Sequence, residues 1–475
     1  MIRSGHIIIA VCVFLGLCVV TPAVEPPNVP VGGERFLPPE FESGYVRPSP
    51  TTPSPRQDIY EYVDAAVLLA AIGLSSYLVA KKRNRRAIFS LMVFSLLYFG
   101  FWRKGCVCSV GAIQNITLAV FDRDYAVPVV VVIFFFLPLA STLLFGRTFC
   151  AAVCPLGAIQ DLVLLRSVSV PSWLESGLQL FAYIYLGLAV LFAATGSAFV
   201  ICRYDPFVAF FHLSGNLNIL ILGACLLLIG LFIGRPYCRF VCPYGVILRQ
   251  LSRISRWNVT ITPGPRGSGD CVQCKLCEDS CPFGAIRKPT VDLQSRDFII
   301  AKKRLAFLIL LVPVLVLLGG WIVSSLRTVT SRMDATVRLA ERIYLEDSGG
   351  IKPAFGGAGT TDASLAFRAT GKEAKELYQE ASTIRARFGR GGWLLGGFVG
   401  LVIALKLIGV SVWRQRTDYE ADRASCLACG RCFQYCPKER VRLKKAKDPA
   451  PIDRLMTVDP KSSTTNDLGS SIGAG

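Results

Sequence analysis

Histidine is almost missing from this chain, with two residues, His6 and His212, in 475. A bis-histidine haem would consume both, and His6 lies in the N-terminal segment, so no haem relay is expected. Charge is also scarce: 18% of residues are charged, against about 25% in ordinary soluble domains. The apolar residues, 52% of the chain, come in long uninterrupted blocks. That composition excludes one large soluble core and indicates a membrane protein. Acidic residues are the scarcer sign, 33 against 52 Lys and Arg, for a net charge of +19. In a soluble protein this would suggest nucleic acid. In a membrane protein Lys and Arg accumulate in cytoplasmic loops, and no DNA-binding, kinase or nucleotide-binding motif is present. The expected surroundings are a lipid bilayer and no nucleic acid.

Cysteine is abundant instead. Eighteen are present, and twelve fall in two repeated ligand patterns. In a chain of this length such patterns indicate metal ligation rather than a disulfide scaffold.

Residues 1–24 carry Arg3, an apolar run from Ile7 to Val20 and Ala23, the marks of a signal peptide or N-terminal anchor. Residues 25–57 are Pro-rich and read as an external linker. Seven apolar segments follow, near 60–80, 87–102, 127–146, 175–200, 216–234, 304–326 and 393–413. Most approach the ~20 residues that cross a ~30 Å hydrocarbon core. KKRNRR at 81–86 marks the cytoplasmic end of the first span. Alternation then puts 147–174, 235–303 and the segment from Arg414 in the cytoplasm, and 103–126, 201–215 and 327–392 outside. The expected fold is an all-α polytopic membrane protein of about seven spans. Small α+β modules like bacterial ferredoxin are expected on its cytoplasmic side, with an inner-membrane location.

The expected units are a membrane domain at 58–257, a first cluster module at 258–300, a span at 301–326, an external helical loop at 327–392, a span at 393–413, a second module at 414–445 and a disordered tail at 446–475. The external loop is patterned as a small helical cap with a Gly-rich turn (GGIKPAFGGAG). Lys406, about two turns from the inner end of the last span, is expected to snorkel to the cytoplasmic surface.

The strongest signal is C-x2-C-x2-C-x3-C-P, found twice: Cys271, Cys274, Cys277, Cys281–Pro282 and Cys426, Cys429, Cys432, Cys436–Pro437. This is the bacterial ferredoxin run, in which three thiolates wrap one [4Fe–4S] cluster and the fourth reaches a second. Two such clusters are expected. If the runs pair, Cys436 joins Cys271, Cys274 and Cys277, and Cys281 joins Cys426, Cys429 and Cys432; each run closing on itself is the alternative. Zinc sites usually separate C-x2-C pairs by longer spacers.

A second repeat reads GRTFCAAVCPLGAIQD, with Cys150 and Cys154, and GRPYCRFVCPYGVILR, with Cys238 and Cys242. Together these C-x3-C-P loops offer four thiolates, enough for a further Fe–S cluster or metal; structural thiols or a regulatory dithiol are the alternatives. After the second copy, Ile247, Leu248, Leu251 and Ile254 share a helical face apart from Arg249, Arg253 and Arg256, as expected of a helix lying on the membrane surface.

These paired loops at span ends, with ferredoxin motifs on the same side, resemble the NosR/NapH-type membrane polyferredoxins over residues 87–290 and 426–437. The resemblance implies electron transfer between a membrane donor, often quinol-linked, and a redox enzyme or maturation system outside the membrane. It carries cluster ligation onto the twelve cysteines above. NosR-like members have a large external flavin-binding domain at the N-terminus, where this chain has a short Pro-rich segment. Expected partners are other redox subunits, with the quinone pool or a flavoprotein as candidates.

A third group is expected on the external face. GCVCSVGAIQN, with Cys106 and Cys108, echoes CPLGAIQD, and ICRYDPF adds Cys202. These could hold a metal or cluster, completed by Cys225 or His212, or form a disulfide. Three functions compete: an electron-transfer subunit without substrate chemistry, a membrane metal (copper) reductase using the external thiols, and a redox sensor or metalloenzyme assembly factor. No catalytic residue is assigned.

Overall fold

The computed structural model describes residues 58–105, 108–168, 170–212, 217–261, 271–290, 295–349, 361–412 and 416–447. The expected signal or anchor, the Pro-rich linker, Cys106, the Gly-rich turn at 350–360 and the tail beyond 447 lie outside them. The described residues are helical apart from one two-residue ladder.

Helix α1 (Asp58–Tyr77) runs on through a π-helical turn, Leu78–Lys82. Asn84 then caps α2 (Arg85–Ser95), its side chain accepting from the Arg86 and Ala87 amides, and α2 also ends in π-helix, Leu96–Trp102. Next come α3 (Ala112–Phe121), α4 (Val129–Phe145), the short α5 (Thr148–Ala152) and α6 (Pro155–Val163), and α7 (Ser172–Ala194). A similar series follows: α8 (Val200–Tyr204), α9 (Pro206–His212), α10 (Leu217–Gly230), α11 (Pro236–Phe240) and α12 (Pro243–Arg253).

Five helical stretches are long and apolar enough to cross a bilayer: Ile59–Lys82, Arg85–Trp102, Ser172–Ala194, Ile299–Ser325 and Ala374–Ser411. A sixth, α9 with α10, is bent by 105°. Helix α4 has 17 residues, about 26 Å at 1.5 Å per residue, just under the hydrocarbon thickness. All seven expected apolar segments are thus helical in whole or in part, but two are bent or short.

Pro138 lies inside α4. It has no N–H for the Phe134 carbonyl, and the Ser109 hydroxyl donates to that carbonyl instead, at 2.8 Å. From the opposite end of the bundle, the Tyr244 hydroxyl donates to the next carbonyl, Phe135, at 2.7 Å. The 109 and 244 segments therefore meet at neighbouring peptides of one helix. A backbone group freed inside a bilayer has to be satisfied by protein in this way.

The first ferredoxin motif carries α13 (Leu276–Asp279) and β1 (Ile286–Arg287). Then come α14 (Ser295–Ser325), α15 (Arg327–Ser331), α16 (Ala335–Asp347), α17 (Asp362–Ala369) and α18 (Ala374–Ser411). The second motif carries β2 (Glu420–Ala421), α19 (Arg431–Tyr435) and α20 (Pro437–Lys447). Strand β1 pairs antiparallel with β2, Ile286 opposite Ala421 and Arg287 opposite Glu420. Both motifs therefore sit on one side of the bundle as a single unit.

The helical cap and the last apolar segment are continuous across 392/393. Helix α18 is one rod of 38 residues, running from the helical cap into the span. The cap is α16 laid on the rod, with Val337, Ala340 and Ile343 buried against Leu377 and Ala381. Within the span α18 crosses α14 along Gly392, Gly396 and Gly400. A Cβ at Gly396 or Gly400 would overlap the Gly319 or Leu315 carbonyl oxygen, so the two backbones touch. This is small-residue packing of membrane helices.

Lys406 does not snorkel free. Its ammonium donates to the Ser176 carbonyl and to Gln179 Oε1, both at 3.0 Å, tying α18 to the start of α7. Nor does α12 lie on the membrane surface. Leu248 and Arg249 are both buried, Ile254 is exposed, and the Arg249 guanidinium donates to the Arg239 carbonyl at 3.1 Å.

Candidate metal centres

The two ferredoxin motifs repeat each other in backbone. Gln273 and Ala428, two residues after the first cysteine of each motif, have φ of 49° and 54°. Lys275 and Gly430, each after the second cysteine, have φ of 62° and 79°. These left-handed residues turn the chain so that three closely spaced thiols wrap one centre. Gly430 suits the conformation, whereas Lys275 bears the cost of a Cβ there.

One cavity is lined by Cys271, Cys274, Cys277 and, from the other motif, Cys436. Cys281 is drawn the other way, where its charge bears on both Cys426 and Cys432. Burial, then Cys271 and Cys274, push the Cys277 thiol up to about 11. Burial chiefly pushes Cys426 up to about 12, with Cys429 and Cys281 adding to it. Buried thiols held together in this way repel one another as thiolates, and binding iron displaces their protons.

The C-x3-C-P loops form the second group. Cys150, Cys154, Cys238 and Cys242 all line one cavity between them. In both loops the second cysteine sits just before a helix that opens with proline: Cys154 at φ −71°, ψ 117° and Cys242 at φ −59°, ψ 114°. The Cys242 sulfur accepts from the Gly245 amide at 3.3 Å. Gln160 locks the loops together, its Oε1 accepting from the Tyr237 amide at 3.0 Å and its Nε2 donating to the Cys238 sulfur at 3.4 Å.

The repeated Gly-Arg pairs put two arginines between these groups. Arg147 donates to the Ala424 carbonyl beside the second ferredoxin motif, and its other terminal nitrogen lies 3.9 Å from the Cys150 sulfur. Arg235 is fully buried, donates to the Cys150 and Ala151 carbonyls, and stands over the Phe283 ring at 5.7 Å. Their positive charge would offset any thiolates formed in the cavity.

Asp161 gathers three arginines: Arg85 at 3.2 Å, Arg235 at 3.4 Å and Arg431 at 3.6 Å. Burial raises its pKa, but the three guanidiniums outweigh burial and hold the carboxyl below the usual carboxylate range. Arg83 forms a second buried link at the same interface, 2.7 Å from Glu439.

The third group adjoins the second. Cys108 lines the same cavity as the four C-x3-C-P cysteines. Cys202 lies close by: a Cβ on Gly111 would be 3.5 Å from the Cys202 sulfur and 3.9 Å from Cys108 Cβ. Cys225 is buried in α10 and His212 is exposed at the end of α9, and neither lines the cavity. Among the described residues no three His, Cys, Asp or Glu side chains converge on a single-ion position. The thiols are instead spread around cavities, as ligands at separate corners of a cubane are. The sequence signal for Gln160 is the second GAIQ, which carries Gln114; Asp161 has none, since Asn115 and Arg249 stand at the matching positions.

Two family models, each described as a 4Fe-4S binding domain, match the chain: one over residues 127–171 and again over 216–262, the other over 268–287. The first covers both C-x3-C-P loops and the second the first ferredoxin motif. An uncharacterized protein of Methanocaldococcus jannaschii is 27% identical over 39% of this chain and 77% of its own length. The putative electron transport protein YccM of Escherichia coli is 27% identical over 30% of this chain and 43% of its own. The regulatory protein NosR of Pseudomonas aeruginosa is 28% identical over 46% of this chain and 32% of its own. This chain thus spans less than half the length of the latter two. No solved structure matches. With its 4Fe-4S binding domains, its long apolar helices and relatives such as NosR, NirI, YccM and MauN, the chain is similar to the NosR/NapH-type ferredoxin-like membrane proteins.

Proposed function

We propose that the chain relays electrons through its ferredoxin unit and the C-x3-C-P site, between a cytoplasmic or membrane donor and a redox partner. The ferredoxin unit would face the cytoplasm of an inner membrane. The observation that carries the reading is Arg147, one side chain that touches the backbone beside Cys426 and approaches Cys150. The ferredoxin thiols and the membrane thiols are thereby neighbours and not independent metal sites.

In this reading Cys271, Cys274, Cys277 and Cys436 hold one cluster, Cys426, Cys429, Cys432 and Cys281 a second, and Cys150, Cys154, Cys238 and Cys242 a third. Bound iron–sulfur clusters supply one-electron chemistry. The chain's own residues fix spacing and electrostatics: Gln160 orients Cys238, Arg147 and Arg235 offset negative charge, and the buried apolar packing around Phe283 and Phe433 excludes water. A quinone or a flavoprotein fits as the donor chemistry. In this reading the chain would act as an electron-transfer subunit of an oxidoreductase system.

The test is anaerobic purification, iron and sulfide analysis, and EPR during a stepwise reductive titration. Expected are at least two interacting [4Fe–4S] signals from the ferredoxin unit and a further species lost in Cys150→Ser or Cys238→Ser. Stoichiometric zinc with no reducible iron overturns the proposal.

A further inference from the structure

The Cys108 and Cys202 segments repeat the inner site in backbone, not only in sequence. Cys202-Arg203-Tyr204-Asp205-Pro206-Phe207 runs parallel to Cys238-Arg239-Phe240-Val241-Cys242-Pro243-Tyr244, one residue shorter and with aspartate in the place of the second cysteine. Asp205 has φ −71° and ψ 116°, within a degree of Cys154 at −71° and 117°. Its amide donates to the Ile201 carbonyl at 2.9 Å, as the Cys242 amide donates to Tyr237 at 2.8 Å. On the other segment the Gly111 amide donates to the Cys108 sulfur at 3.3 Å, the same bond and length as Gly245 to Cys242.

The clamp is repeated too. Gln114 Oε1 accepts from the Ile201 and Cys202 amides at 3.0 and 3.3 Å, as Gln160 Oε1 accepts from Tyr237. One difference points to a ligand. Gln160 Nε2 donates to the Cys238 sulfur and the Leu156 carbonyl, whereas Gln114, fully buried, has an Nε2 with no partner among the described residues. An unsatisfied buried amide beside two thiols is expected to have an acceptor in the working protein. A thiolate-bound centre, rich in sulfur acceptors, is one.

We infer that Cys108, Cys202 and Asp205 ligate a further iron–sulfur cluster, beside the cavity that Cys108 shares with the C-x3-C-P cysteines. Three of the four inner ligand positions, those of Cys154, Cys238 and Cys242, thus have counterparts in it. The Asp205 carboxylate accepts from the Phe207 amide at 2.9 Å and from the Tyr237 hydroxyl, and metal-bound carboxylates are commonly hydrogen-bonded in this way. Tyr237 adjoins Cys238, so one hydrogen bond and one peptide link join the two centres. This inference rests on the electron-transfer reading and extends its route towards the opposite membrane face.

The test uses the full chain, purified anaerobically and reconstituted in nanodiscs. Iron, acid-labile sulfide and EPR spectra are compared for wild type, Cys108→Ser, Cys202→Ser, Asp205→Asn and Asp205→Cys. The ferredoxin signals serve as the internal control for folding. Expected is the loss of one cluster's iron and sulfide, and of one reducible species, in Cys108→Ser and Cys202→Ser with the ferredoxin signals kept. Asp205→Cys should keep that iron and change the g-values of that species alone, which a merely structural aspartate would not do. Unchanged iron, sulfide and spectra in both cysteine variants overturn the inference while leaving the relay intact. A wild-type protein without reducible iron fails the relay itself.

Discussion

Replacing Asp161 by Asn should be among the most damaging single changes outside the cysteines. Arg85, Arg235 and Arg431 converge on this carboxylate at 3.2, 3.4 and 3.6 Å, from the start of α2, the second C-x3-C-P loop and the second ferredoxin motif. Arg235 is wholly buried and Arg431 is 27% exposed. At an effective dielectric of about 20, one such pair is worth roughly 5 kcal/mol before desolvation. Arg235 retains the Cys150 and Ala151 carbonyls, which offsets part of the loss. The expected net cost is therefore about 3–5 kcal/mol, the range for stripping one partner from a buried pair. Arg431→Gln, which removes a longer and half-open contact, should cost at most about 1 kcal/mol. Denaturant unfolding in mixed micelles, with limited proteolysis of the 416–447 segment, measures both. The pH dependence has a definite sign. Because the folded carboxyl is held below its usual value, its stabilisation is present above about pH 3.9 and is lost as pH falls through the folded pKa. An Asp161→Asn protein no less stable than Arg431→Gln refutes the reasoning.

Cys436→Ser should abolish the same EPR signal as Cys274→Ser, and Cys281→Ser the same signal as Cys429→Ser; matching within each motif instead would restore self-closed runs. Gly396→Leu should separate α14 from α18 and cost about 2 kcal/mol or more, since a side chain there meets backbone and not a movable side chain; cysteine crosslinking between the two helices should fall. Ser109→Ala leaves the Phe134 carbonyl without that donor, for a loss of about 1–3 kcal/mol in thermal inactivation, whereas Ser90→Ala, at an exposed hydroxyl that donates within its own helix turn, should change little. Glu439→Gln should loosen the ferredoxin unit from α1, seen as faster hydrogen exchange at Arg83–Arg85 and in α20, with unchanged exchange in the α16 cap.

Much of this was legible because cysteine spacing is a direct geometric constraint. Runs of C-x2-C-x2-C mark a wrapped centre whatever surrounds them, and the Gly-Arg and Cys-Pro-x-Gly repeats gave both membrane loops. The partnership of Cys436 with the first run was one of two readings, because only the β1–β2 ladder brings the runs together and a two-residue strand leaves no pattern. The closeness of the Cys108 segment to the second C-x3-C-P loop leaves no trace in an alternating count of apolar segments, because it rests on the Ser109 and Tyr244 hydroxyls meeting neighbouring carbonyls of α4. Gly392, Gly396 and Gly400 at four-residue spacing were in view but were absorbed into an apolar run. Lys406 was given to the interface because a single sequence does not show that Ser176 and Gln179 face it.

The β1–β2 ladder also has a consequence in time. Cys436 follows Cys277 by 159 residues, roughly 8–30 s of synthesis at about 5–20 residues per second. Through that interval α14 and α18 must both enter the bilayer, while the first motif presents three thiols and a cysteine destined for its partner. Under the proposed exchange neither ferredoxin cluster can close on a nascent chain. Iron loading then follows correct insertion, and a chain that stalls or inverts at α14 or α18 keeps its half-sites open to the proteases and scavengers that clear it.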